Sequence, residues 1–89
     1  MASVTVNWND LDSEYEVIHY NVYTNNTLVN QCSCNSFEVT DLNESEVYYF
    51  YVAALTEDGE YTKSNIVSVK TISDDYTQSS FSYSLDLLL

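Results

Sequence analysis

The sequence predicts an all-β fold, a sandwich of two sheets, on the strength of one alternating stretch and the corner that leads into it. From Tyr48 to Leu55 the side chains fall into two interleaved sets, Tyr48, Phe50, Val52 and Ala54 against Tyr49, Tyr51, Ala53 and Leu55. That two-residue period belongs to a strand with one face in a core. A polar segment entered at Leu42 reaches Tyr48 six positions later. This is the layout of a tyrosine corner, where the phenol hydroxyl bonds to backbone just upstream and locks the crossing between two sheets. Further short runs of β-forming residues follow one another at a spacing of roughly eight to twelve residues, with turn signals between them and no helical period.

Composition narrows the function classes. Eighty-nine residues with 45% hydrophobic content make one domain with a single modest core. No apolar run is long enough to span a membrane as a helix, and Met-Ala-Ser-Val shows no signal-peptide pattern. Fourteen Asp and Glu against two Lys and no Arg give a formal charge of −12. Nucleic acid and anionic membrane surfaces repel such a chain. The charge suits solubility in an extracellular setting or on a virion surface. Carboxylates are also the usual ligands of hard cations, but no loop carries the regular acidic spacing of a calcium site. No metal or cofactor is therefore expected.

In chain order, Val4, Val6 and Trp8 point one way and Thr5 and Asn7 the other, a first strand. Asn9 to Glu14 is a polar turn. Tyr15 to Thr24 reads as a second strand with Tyr20 and Val22 inward. Asn25-Asn26 marks a tight turn, because Asn tolerates positive φ. Thr27 to Cys32 is a short edge strand and Phe37 to Thr40 another. After the corner and the central strand, Glu57-Asp58-Gly59-Glu60 is a turn holding the single Gly of the chain. Asn65 to Ile72 is a last strand with Val67 and Val69 inward.

Taken together, Trp8, Tyr20-Asn-Val-Tyr23, Leu42 with Tyr48, the Tyr48-x-Phe50-x-Val52-x-Ala54 run, Gly59 and Ser64-Asn65-Ile-Val-Ser-Val-Lys-Thr71 resemble a fibronectin type III domain over about residues 3 to 72. The resemblance implies an immunoglobulin-like β-sandwich with strands B, C, C′, E, F and G in chain order, and binding or structural roles without chemistry. Domain organisation follows: a sandwich over 1–72, a linker over 73–80 and a C-terminal strand over 81–89.

Two departures from the family pattern stand out. Strand B begins at about Val4, leaving no residues for the family's strand A, so the acceptor edge and core at Val4, Val6 and Trp8 lack a neighbour. At the other end, Phe81, Tyr83, Leu85, Leu87 and Leu89 alternate with Ser82, Ser84 and Asp86. Burying each large side chain is worth on the order of 1.5–3 kcal/mol, and an open edge is a template for another strand. In tandem arrays of the family, strand G leads into strand A of the next module. The expectation is that residues 81–89 insert in the strand A position of a neighbouring subunit, antiparallel to Val4–Trp8, as a donor strand. Insertion into the same chain is one alternative, since eight linker residues reach roughly 25 Å; a disordered tail or some other contact is the other.

Cys32 and Cys34 leave three readings open: free thiols, a bridge to another subunit, or a strained local bridge. Strand neighbours two apart rarely meet disulfide geometry, and two Cys alone do not complete a tetrahedral metal site. His19 is read as a surface residue of its strand. No nucleophile–base arrangement is visible, so no enzyme activity is expected. Tyr23, Tyr49 and Tyr51 fall on outward faces of neighbouring strands, either as a lateral binding face or as ordinary cross-strand pairs. Asn25-Asn-Thr27 and Asn43-Glu-Ser45 match the N-glycosylation pattern, which short Asn- and Ser-rich stretches produce easily.

Two functions from different classes are consistent with these features. One is a structural subunit that polymerises head-to-tail with itself, by C-terminal strand donation, into an extracellular filament or virion appendage. The other is a monomeric adhesion or ligand-binding module with a self-complementing tail, whose partner is another surface protein or a glycan.

Overall fold

The computed structural model describes residues 2–10, 16–71 and 80–85, the last group through their backbone. Eight strands appear in it: β1 Ala2–Trp8, β2 His19–Thr24, β3 Thr27–Cys32, β4 Ser36–Leu42, β5 Val47–Thr56, β6 Gly59–Lys63, β7 Val67–Lys70 and β8 Ser80–Leu85. They form a three-stranded sheet in the order β4-β1-β8 and a five-stranded sheet in the order β3-β2-β5-β6, with β7 also paired to β5.

The alternation read from the sequence decides what lies between the sheets. Along β1, Ala2, Val4, Val6 and Trp8 are buried while Ser3, Thr5 and Asn7 are half-buried. From the opposite sheet, Tyr20 and Val22 of β2, Tyr48, Phe50, Val52 and Ala54 of β5, and Val69 of β7 meet them, with Val39 and Leu42 of β4 completing the cluster. Phe50, Val4, Val6, Val22 and Val52 are its largest fully enclosed side chains. Burying a side chain of that size contributes about 1.5–3 kcal/mol, so the inner faces of β1 and β5 supply most of the drive to close the sandwich.

Turn chemistry fixes the registers. Asn25 and Asn26 both have positive φ, 50° and 65°, the mirror-image turn whose twist suits a two-residue hairpin. The Asn25 amide N–H donates to the Tyr49 carbonyl at 2.8 Å, and Asn25 Oδ1 accepts from the Tyr49 N–H at 2.9 Å. The β2–β3 turn is thereby stitched to β5. Gly59 has φ +104°, a conformation that side-chain-bearing residues rarely adopt, although no atom lies within 4 Å of where a Cβ would sit.

Three expectations need correcting. The second strand starts at His19 rather than Tyr15, because its ladder with β5 begins at His19 opposite Leu55. Residues 16–18 lie outside any strand, although the Ile18 N–H still donates to the Leu55 carbonyl at 2.7 Å, and 11–15 are outside the described residues. The expected turn at Glu57–Glu60 ends at Asp58, and Gly59 already belongs to β6. The expected strand over 65–72 is shorter, Val67–Lys70, and a strand that the sequence did not announce, Gly59–Lys63, precedes it on the same edge of β5. Between the pairs Ala53–Lys63 and Phe50–Val67, β5 has two residues and its partner three, a one-residue bulge. Ser64 fills it: its N–H donates to the Val52 carbonyl at 2.8 Å, and its Oγ accepts from the Val52 N–H at 2.9 Å. A side-chain hydroxyl therefore takes the place of a ladder carbonyl.

Candidate functional site

β1 is the centre of the smaller sheet and the place where the two ends of the described chain meet. On one side it pairs antiparallel with β4, from Ala2 opposite Leu42 to Asn7 opposite Ser36. On the other it pairs parallel with β8 in unbroken register, Ser3 beside Ser80 through Trp8 beside Leu85. Phe81, Tyr83 and Leu85 are the partners of Val4, Val6 and Trp8. The expected Leu87 and Leu89, and nearly all of the linker 73–80, lie outside the described residues. β8 takes the position expected for strand A, in its own chain, and its direction corrects the antiparallel expectation.

The direction has a geometric cause. The chain leaves β7 at Thr71, which is tied to the corner. Its N–H donates to the Glu46 carbonyl at 2.9 Å and its carbonyl accepts from the Ser45 N–H at 3.1 Å. Its Oγ1 donates to the Asn43 carbonyl at 2.5 Å and accepts from the Glu46 N–H at 3.1 Å. Asn43 follows Leu42, and Leu42 pairs with Ala2 at the start of β1. Residue 71 and residue 80 thus lie at the same end of the sandwich. The two described ends, Thr71 just after β7 and Ser80 in β8, belong to sheets that pack roughly 10 Å apart. A strand entering at that end beside Ser3 runs with β1, hence parallel.

Trp8, at the far end of β1, is 5% exposed and packs on the Tyr20 ring at 5.9 Å between centroids. Its indole N–H finds no hydrogen-bond acceptor among the described residues. The Trp8 backbone N–H donates to the Asn35 carbonyl at 2.9 Å.

At the corner, the Asn43 N–H donates to the Tyr48 hydroxyl at 2.9 Å, and both Leu42 and Tyr48 are buried. Asp41 and Ser45 have φ of 61° and 57°. These left-handed residues, unusual outside Gly, bend the chain on either side of the bond. Sequence reasoning missed the other half of this lock, Thr71, which is 2% exposed. An isolated Thr at a strand end carries no signal of such a role.

The tyrosine face lies on the outside of the larger sheet. Tyr23 and Tyr51, cross-strand partners, stack at 4.7 Å with rings 11° apart. Lys63 Nζ sits 5.4 Å from the centre of the Tyr51 ring. Tyr51 is accordingly buried despite facing outward, while Tyr49 is 52% exposed. The Tyr23 hydroxyl donates to Glu60 Oε2, as does Asn21 Nδ2 at 3.1 Å. The bond from Tyr23, then that from Asn21, holds the Glu60 carboxyl below its usual range. The same bond to Glu60 pushes the Tyr23 phenol up. Beside these rings an open depression of about 280 Å³ is lined by Asn25, Asn26, Val47, Tyr49, Tyr51 and Ile66. Val47 and Ile66 were not singled out from sequence. The alternation of β5 makes Val47 an outward residue, and the alternation that turns Val67 and Val69 inward leaves Ile66 outward as well.

Cys32 and Cys34 form a disulfide with each other, with Cα atoms 5.3 Å apart. The free-thiol and intersubunit readings are both corrected. β3 ends at Cys32 and the chain bends through 33–35, so Cys34 leaves the strand spacing and comes within bridging range. His19 is half-buried at the start of β2. Among the described residues, no group of three His, Cys, Asp or Glu side chains is placed to hold a metal ion.

Comparison with known proteins agrees with this architecture. The chain is 36% identical over 69 residues to a Kelch domain-containing protein, SSO1033, of Saccharolobus solfataricus, covering 75% of this chain and 10% of that protein. It spans about a tenth of the length of this relative. No solved structure matches. The family model for the fibronectin type III domain matches residues 2–70, and the chain belongs to the fibronectin type III family.

Proposed function

We propose that this fibronectin type III domain is a structural subunit that works by strand complementation, polymerising with copies of itself into an extracellular filament or a virion appendage. One observation carries the reading: the β1 edge is filled by a strand at the far end of the sequence, joined to the sandwich by the segment 72–79. Strand pairing through backbone bonds does not distinguish a donor from the same chain from one in a sister molecule. Exchange of β8 between subunits keeps every β1–β8 bond and adds none, so concentration alone tips the balance towards the polymer. Donation from one molecule to the next is heterologous and propagates. The net charge of −12 suits a solvent-facing filament surface.

A second reading is supported by the pairing of β8 with its own chain: a monomeric adhesion or ligand-binding module with a self-complementing tail, its partner a surface protein or a glycan. Size-exclusion chromatography with light scattering over a concentration series separates the two. The filament reading predicts large species that grow with concentration and disappear when residues 76–89 are deleted. A synthetic peptide of residues 76–89, added in excess to the full chain, caps the growing ends and shortens the polymers. A constant peak near the 10.2 kDa of one chain overturns the filament reading and leaves the module.

A further inference from the structure

Charge is distributed unevenly over the two sheets. Across β2, β3, β5, β6 and β7 there is one carboxylate, Glu60, alongside both lysines of the chain, Lys63 and Lys70. Of fourteen Asp and Glu in all, that leaves thirteen in the loops, the smaller sheet and the C-terminal segment. Glu60 is already engaged by Tyr23 and Asn21. Both lysines belong to the outer face. Lys63 lies over the Tyr51 ring, and Lys70 is the register partner of Val47, which is 48% exposed.

The same face carries the exposed apolar groups. Val47, Tyr49 and Ile66, the last 64% exposed, border the open depression beside Tyr51. Lys63, Ser64 and Ile66 line its continuation. Contiguous apolar surface rimmed by polar groups marks an interaction site. Here the rim is cationic on a molecule that is otherwise strongly anionic.

We propose that the outer face of the five-stranded sheet is a self-association surface, which takes a carboxylate-rich loop of a second copy between Lys63 and Lys70 with Val47, Tyr49 and Ile66 as its apolar anchors. Charge complementarity selects the occupant. The face has a net charge of about +1 and the rest of the molecule about −13, so the surface that fits it is the acidic remainder of the same protein. The contact is heterologous, face to loop, and uses neither β1 nor β8. It stands or falls independently of strand exchange.

The test uses the full-length chain at about 150 mM salt, where the Debye length of about 8 Å confines electrostatics to the contact and mutes repulsion between whole molecules. Equal amounts of unlabelled and nitrogen-15-labelled protein are treated with a carbodiimide, which joins a lysine amine to a nearby carboxylate as an amide with loss of water. Cross-linked peptides are then read by mass. Mixed-isotope peptides joining Lys63 or Lys70 to carboxylates of another copy are expected. Sedimentation of Lys63→Gln and Lys70→Gln is expected to show association weakened about fivefold each, and Ile66→Ser about tenfold. These exposed positions leave the melting curve near that of the parent. Cross-links confined to single chains, or association unchanged in all three variants, would overturn the proposal.

Discussion

Val6 and Tyr83 are partners in a parallel ladder that joins the N-terminal strand to the C-terminal one. Val6 is fully buried in the main core, and the strand beside it pairs the backbone of β1 on the side away from β4. Parallel neighbours in a sheet need a crossover between them, and here nearly the whole domain intervenes. The entropy of closing so long a loop therefore weighs more on the β1–β8 pairing than on any hairpin of the domain.

The corner bond gives the first prediction. Tyr48→Phe keeps the ring in the core and removes the acceptor of the Asn43 N–H. Stability should fall by about 1–2 kcal/mol, read from the urea midpoint, with the β content by circular dichroism unchanged. An unshifted midpoint would mean that water replaces the hydroxyl without penalty.

The disulfide gives the second. Cys32 and Cys34 close a ring of three residues, and so short a loop removes little entropy from the unfolded chain, on the order of 1.5 kcal/mol. Replacing both by Ser should lower stability by no more than about 2 kcal/mol and leave the mass on non-reducing gels unaltered. A dimer band in the parent that vanishes on reduction would contradict the local pairing.

Acid and base should act in opposite directions on the Tyr23–Glu60 pair. The Glu60 carboxyl is held low by its bonds from Tyr23 and Asn21. Its contribution is present above the unfolded carboxylate pKa of about 4.3 and is lost as pH falls through the lower folded value. The Tyr23 phenol is pushed up, so its contribution is present below about pH 10 and is lost as pH rises through the higher folded value. The pair is largely solvent-exposed, which keeps the effect small. Urea midpoints of the parent and Glu60→Gln should differ most near neutrality and converge at both extremes. A constant gap from pH 3 to 11 would show that the pair does not contribute through its ionisation.

How much of this was legible in sequence follows from what a linear pattern encodes. The period of two in β5 named the buried set Tyr48, Phe50, Val52 and Ala54, because alternation maps directly onto faces. Asn25-Asn26 announced its hairpin, because few residues accept φ of 50° and 65°. The direction of β8 was not legible: alternation is the same read forwards or backwards, and the meeting of Thr71 with Asn43 is a tertiary fact. The extra strand β6 and its break from β7 turn on the Ser64 hydroxyl reaching the Val52 amide, and Ser is common in loops and strands alike. Tyr51 looked exposed because its face was known, while its cover, Tyr23 and Lys63, comes from other strands.

Cysteines placed at Thr5 and Ser82, which are register partners on β1 and β8, test the central claim most directly, in a background with Cys32 and Cys34 replaced by Ser. On mild oxidation the two should couple readily, giving a cross-linked monomer in dilute protein and a covalent ladder in concentrated protein on non-reducing gels. Failure to couple at any concentration would contradict the closure of the β1 edge by the C-terminal strand.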